Sequence, residues 1–174
     1  IYSQNPTTYI PQKLEAVRLK GEPLDKLQHS LLNLGAGNYN TLYAEYFFNS
    51  LRSRDWDYGI HLNHLSSQAT IKDYGYGGFA YNDIDLYGKA FMTNHVLYVA
   101  GGYDEHALHD YGYNITENRI NNNNLTRERF GLFNGLVQYT SHYKDSSMVN
   151  HDIKLGYYNY SDINSASENN FDAD

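Results

Sequence analysis

The sequence has no cysteine and only three prolines and two methionines among its 174 residues. The absence of cysteine excludes a disulfide framework and every metal site built on thiolates. The prolines (Pro6, Pro11 and Pro23) all lie in the first 23 residues, beside most of the lysine-rich text. We therefore expect a boundary near residue 30, with a lead-in or linker over 1–29 and β-barrel strands and loops over 30–174.

Positive charge and long apolar runs are scarce as well. The chain has 13 Lys and Arg against 20 Asp and Glu, a net charge of -7 without any basic cluster, which argues against a nucleic-acid partner. No apolar run approaches the roughly 18 residues of a membrane-spanning helix. A membrane β-barrel is still allowed, because its spans are about 9–11 residues long and only half apolar.

What the sequence does contain favours strands. Its 19 Tyr, 14 Gly and 7 Phe are typical of β-structure, and apolar residues recur at every second position. Six long strands are predicted, and they lie near 31–50, 56–67, 77–92, 96–113, 125–143 and 148–163.

The connections between these predicted strands alternate in length. Those at 51–55, 93–95 and 144–147 are short, whereas 68–76 and 114–124 are long, and a third long one would begin near Asn164. This alternation is typical of an up-and-down barrel with tight turns at one rim and loops at the other. The predicted fold is therefore all-β, an antiparallel up-and-down (meander) membrane β-barrel.

Each predicted strand has one modest apolar face and one polar face. A packed soluble core would not accept so many charged and amide side chains, but a water-filled or loop-filled lumen would. Aromatic residues near strand ends are typical of membrane interfaces. The predicted lumen-facing residues are Asp83, Asp85, Lys89, Asp152 and Lys154; the lipid-facing ones are Ile84, Leu86, Ile153 and Leu155; the interface aromatics are Trp56, Tyr58 and Tyr46.

Six strands are too few for a closed single-chain barrel, whose smallest form has about eight. An open sheet in lipid would leave two edges unpaired. The start at Ile1 and the polar ending "ENNFDAD" suggest a processed or partial chain. We therefore expect part of a larger barrel.

A resemblance is carried by "LGAGNYNTLYAEYFFNSLRSRDWDYGIHLNHLSS", residues 34–67. The segment Gly37–Tyr39, the turn Asn49–Ser53 and the strand exit His64–Ser67 are similar to those of Bacteroidota outer-membrane β-barrel proteins of the TonB-dependent-receptor-like kind. The resemblance covers roughly residues 30–113 and implies the outer membrane of a Gram-negative bacterium. It implies no substrate, and the plug domain and TonB box of such receptors are not recognisable here.

Local signals for chemistry are weak. His61 and His64, like His106 and His109, are three residues apart, which places them on opposite faces of a strand and disfavours a shared metal. Asp83 and Asp85 share a strand face and would suit Ca²⁺ or acid–base chemistry, but a hydrated barrel wall explains them more simply. We expect no catalytic residue, no metal and no cofactor.

These observations favour a barrel that lets a solute pass or captures it, porin-like or TonB-dependent-receptor-like. The expected partners are outer-membrane lipid, an unknown solute, and further barrel strands or a partner protein. The alternative is a soluble or surface-exposed β-sandwich that binds carbohydrate through Tyr and Trp. An outer-membrane barrel enzyme is a third, less favoured possibility.

Overall fold

The protein is seen in a computed structural model that describes residues 26–51, 53–69, 71–114, 127–145 and 147–174. The described residues form one sheet of eight antiparallel strands, in which each strand pairs with the next along the chain. The all-β meander predicted from the sequence is thereby confirmed. The strands are β1 (Ser30–Gly37), β2 (Thr41–Asn49), β3 (Trp56–Ser67), β4 (Phe79–Phe91), β5 (His95–His109), β6 (Arg127–Ser141), β7 (Asp152–Asp162) and β8 (Ser167–Ala173).

The number of strands predicted from the sequence is wrong at the first strand. The segment 31–50 is two strands, because the chain reverses between Gly37 and Thr41. Tyr39 and Asn40 have φ angles of 59° and 52°, and the Thr41 N–H donates to the Asn38 carbonyl oxygen at 3.2 Å. The four residues Asn38–Thr41 thus form a hydrogen-bonded turn with the positive φ angles of type I′ at its two central positions, inside a three-residue connection between Gly37 and Thr41. Since a tyrosine rather than a glycine occupies the first of these positions, the turn resembles strand sequence.

The long loop predicted from Asn164 onward is also wrong. The chain turns tightly and returns as β8. Asp162 holds this turn, since its Oδ1 accepts the backbone N–H groups of Asn164 at 2.9 Å and Ala166 at 2.8 Å. The sequence of β8, "SENNFDA", has little apolar alternation, so its strand character rests on backbone pairing with β7.

The predicted alternation of short and long connections therefore fails. The tight turns after β1 and after β7 lie at the same rim as the longer connections after β3 and β5. At that rim the two longer connections meet, because Tyr74 bridges Asn114 and the Gly75 N–H donates to the Tyr113 carbonyl at 3.1 Å. At the opposite rim, the connection after β6 contains a local hydrogen bond, in which the backbone N–H of Ser147 donates to Asp145 Oδ1 at 3.0 Å. This hydrogen bond lowers the pKa of Asp145.

The sheet is not closed. β1 and β8 are its edges, and among the described residues neither pairs with the other. Closure into a barrel, alone or with further strands, stays a prediction. The predicted lead-in over 1–29 lies mostly outside the described residues, and the first strand starts at Ser30.

The sheet is a single layer. Substantial contacts between the described strands join only neighbours in the sheet. Of the described hydrophobic residues only Ala107, 6% exposed, is buried, and no large side chain among them is fully buried. Within the described ranges, no helix is both long and apolar enough to cross a membrane. Whatever covers the faces of this sheet is therefore not another layer of described strands.

Candidate functional site

The pairing register sorts the strand residues onto two faces. Ile84 lies opposite Leu62 of β3 and Tyr103 of β5, while the adjacent Asp85 lies opposite His61 and Gly102. Carried across β6 into β7, the register places the five residues predicted to face a lumen on one side, the polar face. It places the four residues predicted to face lipid on the other side, the apolar face.

The apolar face carries a continuous band of large side chains, here called the apolar belt. Its members are open to the surroundings: Leu86 is 51% exposed and Ile153 is 48% exposed. Cross-strand pairs such as Val99 with Val137, and Val137 with Leu155, continue the belt from strand to strand. The belt comprises Leu32, Leu34, Tyr46, Phe48, Tyr58, Ile60, Leu62, Ile84, Leu86, Leu97, Val99, Tyr103, Phe133, Val137, Tyr139, Ile153, Leu155, Tyr157 and Phe171.

The three aromatic residues predicted for a membrane interface occupy different heights on this face. Trp56 begins β3 and is 62% exposed, and Tyr58 follows it two residues later. Tyr46 lies further inside the sheet, directly opposite Leu62. Trp56 and Tyr58 therefore lie toward one rim of the apolar face, whereas Tyr46 lies nearer its middle.

The polar face holds a network centred on His61. Its Nε2 lies 3.2 Å from Glu45 Oε1 and its Nδ1 lies 3.3 Å from Asp85 Oδ2. The imidazole ring stacks on Phe47 with centroids 4.3 Å apart. Glu45 also accepts hydrogen bonds from Tyr43 Oη at 2.6 Å and from an Asn33 amide at 2.9 Å. One imidazole thus links carboxylates from two strands.

A second part of the network surrounds Asp83. Asn63 donates to Asp83 Oδ2 at 2.8 Å, and His106 Nε2 lies 3.3 Å from Asp83 Oδ1. Asp104 lies directly opposite Asp83 in the sheet. Two like charges in directly opposed positions destabilise the pairing of their strands. Asp83 thus has an amide and an imidazole as partners beside the like charge of Asp104.

Asp152, Lys154 and Lys89 complete the predicted polar residues. The Asp152 carboxylate accepts an amide N–H from Gln138 at 2.8 Å and the hydroxyl of Thr140 at 3.0 Å. Lys89 Nζ lies 5.2 Å from the centre of the Tyr98 ring. In the described part of the chain, neither Lys89 nor Lys154 forms an ion pair.

Beside His61 the polar face opens into a cleft of about 340 Å³. Two small residues of β5, Ala100 and Gly101, are among the residues that line it. Next to them, a Cβ on Gly102 would come within 2.8 Å of Asp85 Oδ1 and 2.9 Å of Asn134 Nδ2, so the missing side chain lets these two polar groups approach. The lining residues are Phe47, Asn49, Ile60, His61, Asp85, Leu86, Tyr87, Tyr98, Ala100, Gly101 and Asn134.

The histidine pairs lie on opposite faces, as their spacing predicts. His61 belongs to the polar network, whereas His64 lies on the apolar side, where its Nδ1 is 2.6 Å from Asn82 Oδ1 and its Nε2 is 2.9 Å from Ser66 Oγ. Among the residues that the structure describes, no three His, Asp or Glu side chains are arranged to hold a metal ion.

Alternation along the sequence places Glu45 and His61 on the polar side of their strands, like Asp83, Asp85 and Lys89. It predicts neither the contacts between these residues nor the cleft. Their meeting depends on the register between β2, β3, β4 and β5, which alternation leaves open by steps of two residues.

No protein-family model matches the chain, and neither a curated protein nor a solved structure is significantly similar to it.

Proposed function

We propose that the chain is part of an outer-membrane β-barrel that lets a solute pass or captures it, without catalysis. The apolar belt carries this proposal: it runs across one face of the sheet and no other described strand covers it, while the opposite face holds a hydrogen-bonded polar network. Lipid on one side and an aqueous lumen on the other satisfy both faces at once.

If the apolar belt faced water, its exposed apolar surface would make the folded state much less stable. Removing apolar surface from water contributes about 25 cal/mol per Å², and soluble proteins rarely expose an apolar patch larger than a few hundred Å². Leu34, Trp56 and Phe171 are each more than 60% exposed, and they lie on three different strands of one face. A hydrocarbon environment covers such a face without a second layer of protein.

The polar face suits an aqueous lumen for a separate reason. Carboxylates such as Glu45, Asp83 and Asp152 accept hydrogen bonds from side chains of neighbouring strands, yet Asp85 is 56% exposed. Ionised groups of this number are stable only if they are paired or hydrated. The resemblance of residues 34–67 to outer-membrane barrels of Bacteroidota agrees with this arrangement.

Further strands are part of the proposal. The backbone N–H and C=O groups along the free edges of β1 and β8 would be unsatisfied in lipid, at a cost of several kcal/mol for each group. In the proposed barrel, additional strands or a partner protein pair with these edges.

Behaviour with and without detergent tests the proposal. We expect the refolded chain to give strand-type circular dichroism and one sharp size-exclusion peak in micelles, and to aggregate in plain buffer. A folded, monodisperse chain in plain buffer would contradict the membrane assignment and favour the soluble carbohydrate-binding β-sandwich.

A further inference from the structure

The cleft on the polar face combines an aromatic wall with a carboxylate. Tyr87 and Tyr98 line it together with Asp85 and His61. Its volume of about 340 Å³ lies within the roughly 300–1,000 Å³ of small-molecule sites. The cleft has the size and the polar groups to hold a small solute.

An ammonium group of the protein itself already lies near one of these two rings, although its lysine does not line the cleft. The Lys89 Nζ is 5.2 Å from the centroid of the Tyr98 ring, within the roughly 6 Å at which an aromatic face attracts a cation. No carboxylate among the described residues forms an ion pair with Lys89, although Asp57 lies opposite it in the sheet. The ring of Tyr98 is thus the partner that the structure gives to this charge.

The carboxylate of Asp85 is available to a second cation. Its Oδ2 lies 3.3 Å from His61 Nδ1, and its Oδ1 points toward the space above Gly102. The Asp85 side chain is 56% exposed, so a solute reaches it without rearrangement of the sheet. An anionic solute would meet Asp85 and the neighbouring Glu45 unfavourably.

We propose that this cleft binds a solute carrying an organic ammonium group, held by the Tyr98 ring and the Asp85 carboxylate, much as the Tyr98 ring already holds the Lys89 ammonium. The inference names the class of solute for the proposed function. It rests on that function, because the solute reaches the cleft only if the polar face is open to water. Lys89 competes with the solute for the ring, so its removal strengthens binding.

The test uses choline and its neutral isostere 3,3-dimethylbutan-1-ol, titrated into the whole folded chain and followed by NMR chemical shifts. We expect choline to bind and the neutral isostere to bind at least tenfold more weakly. Asp85→Asn and Tyr98→Leu each weaken choline binding, whereas Lys89→Met tightens it by about two- to fivefold, the range expected for a cation on an exposed ring.

The matched control is Lys154→Met. Lys154 shares the polar face and the cross-strand row of Lys89, Tyr98 and Gln138, so its removal changes the net charge equally without freeing the ring. Equal tightening by both lysine variants, equal binding of the neutral isostere, or no binding of choline to the folded chain would overturn the inference. These outcomes are separable from detergent dependence, because the titration is performed on whichever form of the chain is folded.

Discussion

At the scale of single residues, substitutions at two strand glycines distinguish an effect on the cleft from an effect on the stability of the sheet. A Cβ on Gly102 would crowd Asp85 and Asn134, whereas one on Gly88 would meet nothing within 4 Å. Both glycines lie in strands, so their differing surroundings decide the effect of a substitution.

We expect Gly102→Ala to weaken choline binding at least severalfold, because the new methyl displaces the polar ends of Asp85 and Asn134. Its free energy of unfolding should change little, since both ends are flexible. Gly88→Ala should keep binding intact and stabilise the chain by about 0.4–1 kcal/mol, through the reduced freedom of the unfolded state. Calorimetric titration and urea unfolding in micelles measure the two effects, and equal binding by both variants would contradict the role of Gly102.

Two adjacent apolar residues of β6 test the faces. Val137 lies in the apolar belt opposite Val99, and Leu136 lies on the polar face opposite Ala100. In lipid vesicles, Val137→Lys should lower the free energy of unfolding, because a lysine that faces lipid costs about 2–4 kcal/mol at the bilayer midplane and less near the interface. Leu136→Lys should cost clearly less, because its ammonium reaches water. Similar losses in both variants would show that the two faces meet the same surroundings.

At the scale of elements, the turn between β1 and β2 decides how the chain enters the sheet. Tyr39 adopts a left-handed conformation that costs a non-glycine residue roughly 1–2 kcal/mol. Its carbonyl also accepts the Gln68 N–H at 2.9 Å, which ties the turn to the end of β3.

Asn40→Gly should therefore stabilise the chain modestly, because glycine is favoured at the second position of a type I′ turn. Tyr39→Val should destabilise it, since a β-branched residue resists positive φ. Urea unfolding measures both changes. If Tyr39→Val were neutral while Asn40→Gly were destabilising, the turn would not have the type I′ geometry.

A comparison of the predicted strands with the observed ones shows which elements the sequence alone can predict. Alternation predicted β3 and β7 closely and placed Ile84 and Asp85 on opposite faces, because period two belongs to the strand itself. It merged β1 with β2, since Tyr39 in a turn resembles a strand residue, and it missed β8, whose pairing uses backbone groups that any sequence carries. The cleft lay beyond prediction because it depends on the register of four strands.

At the scale of the whole molecule, the distribution of polarity is the reverse of that in a soluble sheet protein. Among the described residues, the apolar face is open, the polar face is internally bonded, and β1 and β8 each pair with one strand only. The proposed barrel accounts for these features together: lipid covers the belt, water fills the lumen and further strands satisfy the edges.

The most direct measurement is a cysteine scan of residues 83–89 in β4, which the absence of native cysteine makes free of background. Each single cysteine carries a nitroxide spin label in the chain reconstituted into lipid vesicles. Accessibility to oxygen, which dissolves in lipid, should peak at 84, 86 and 88. Accessibility to a water-soluble nickel complex should peak at 83, 85, 87 and 89. Uniform access of the nickel complex to all seven positions would contradict the assignment of the apolar face to lipid.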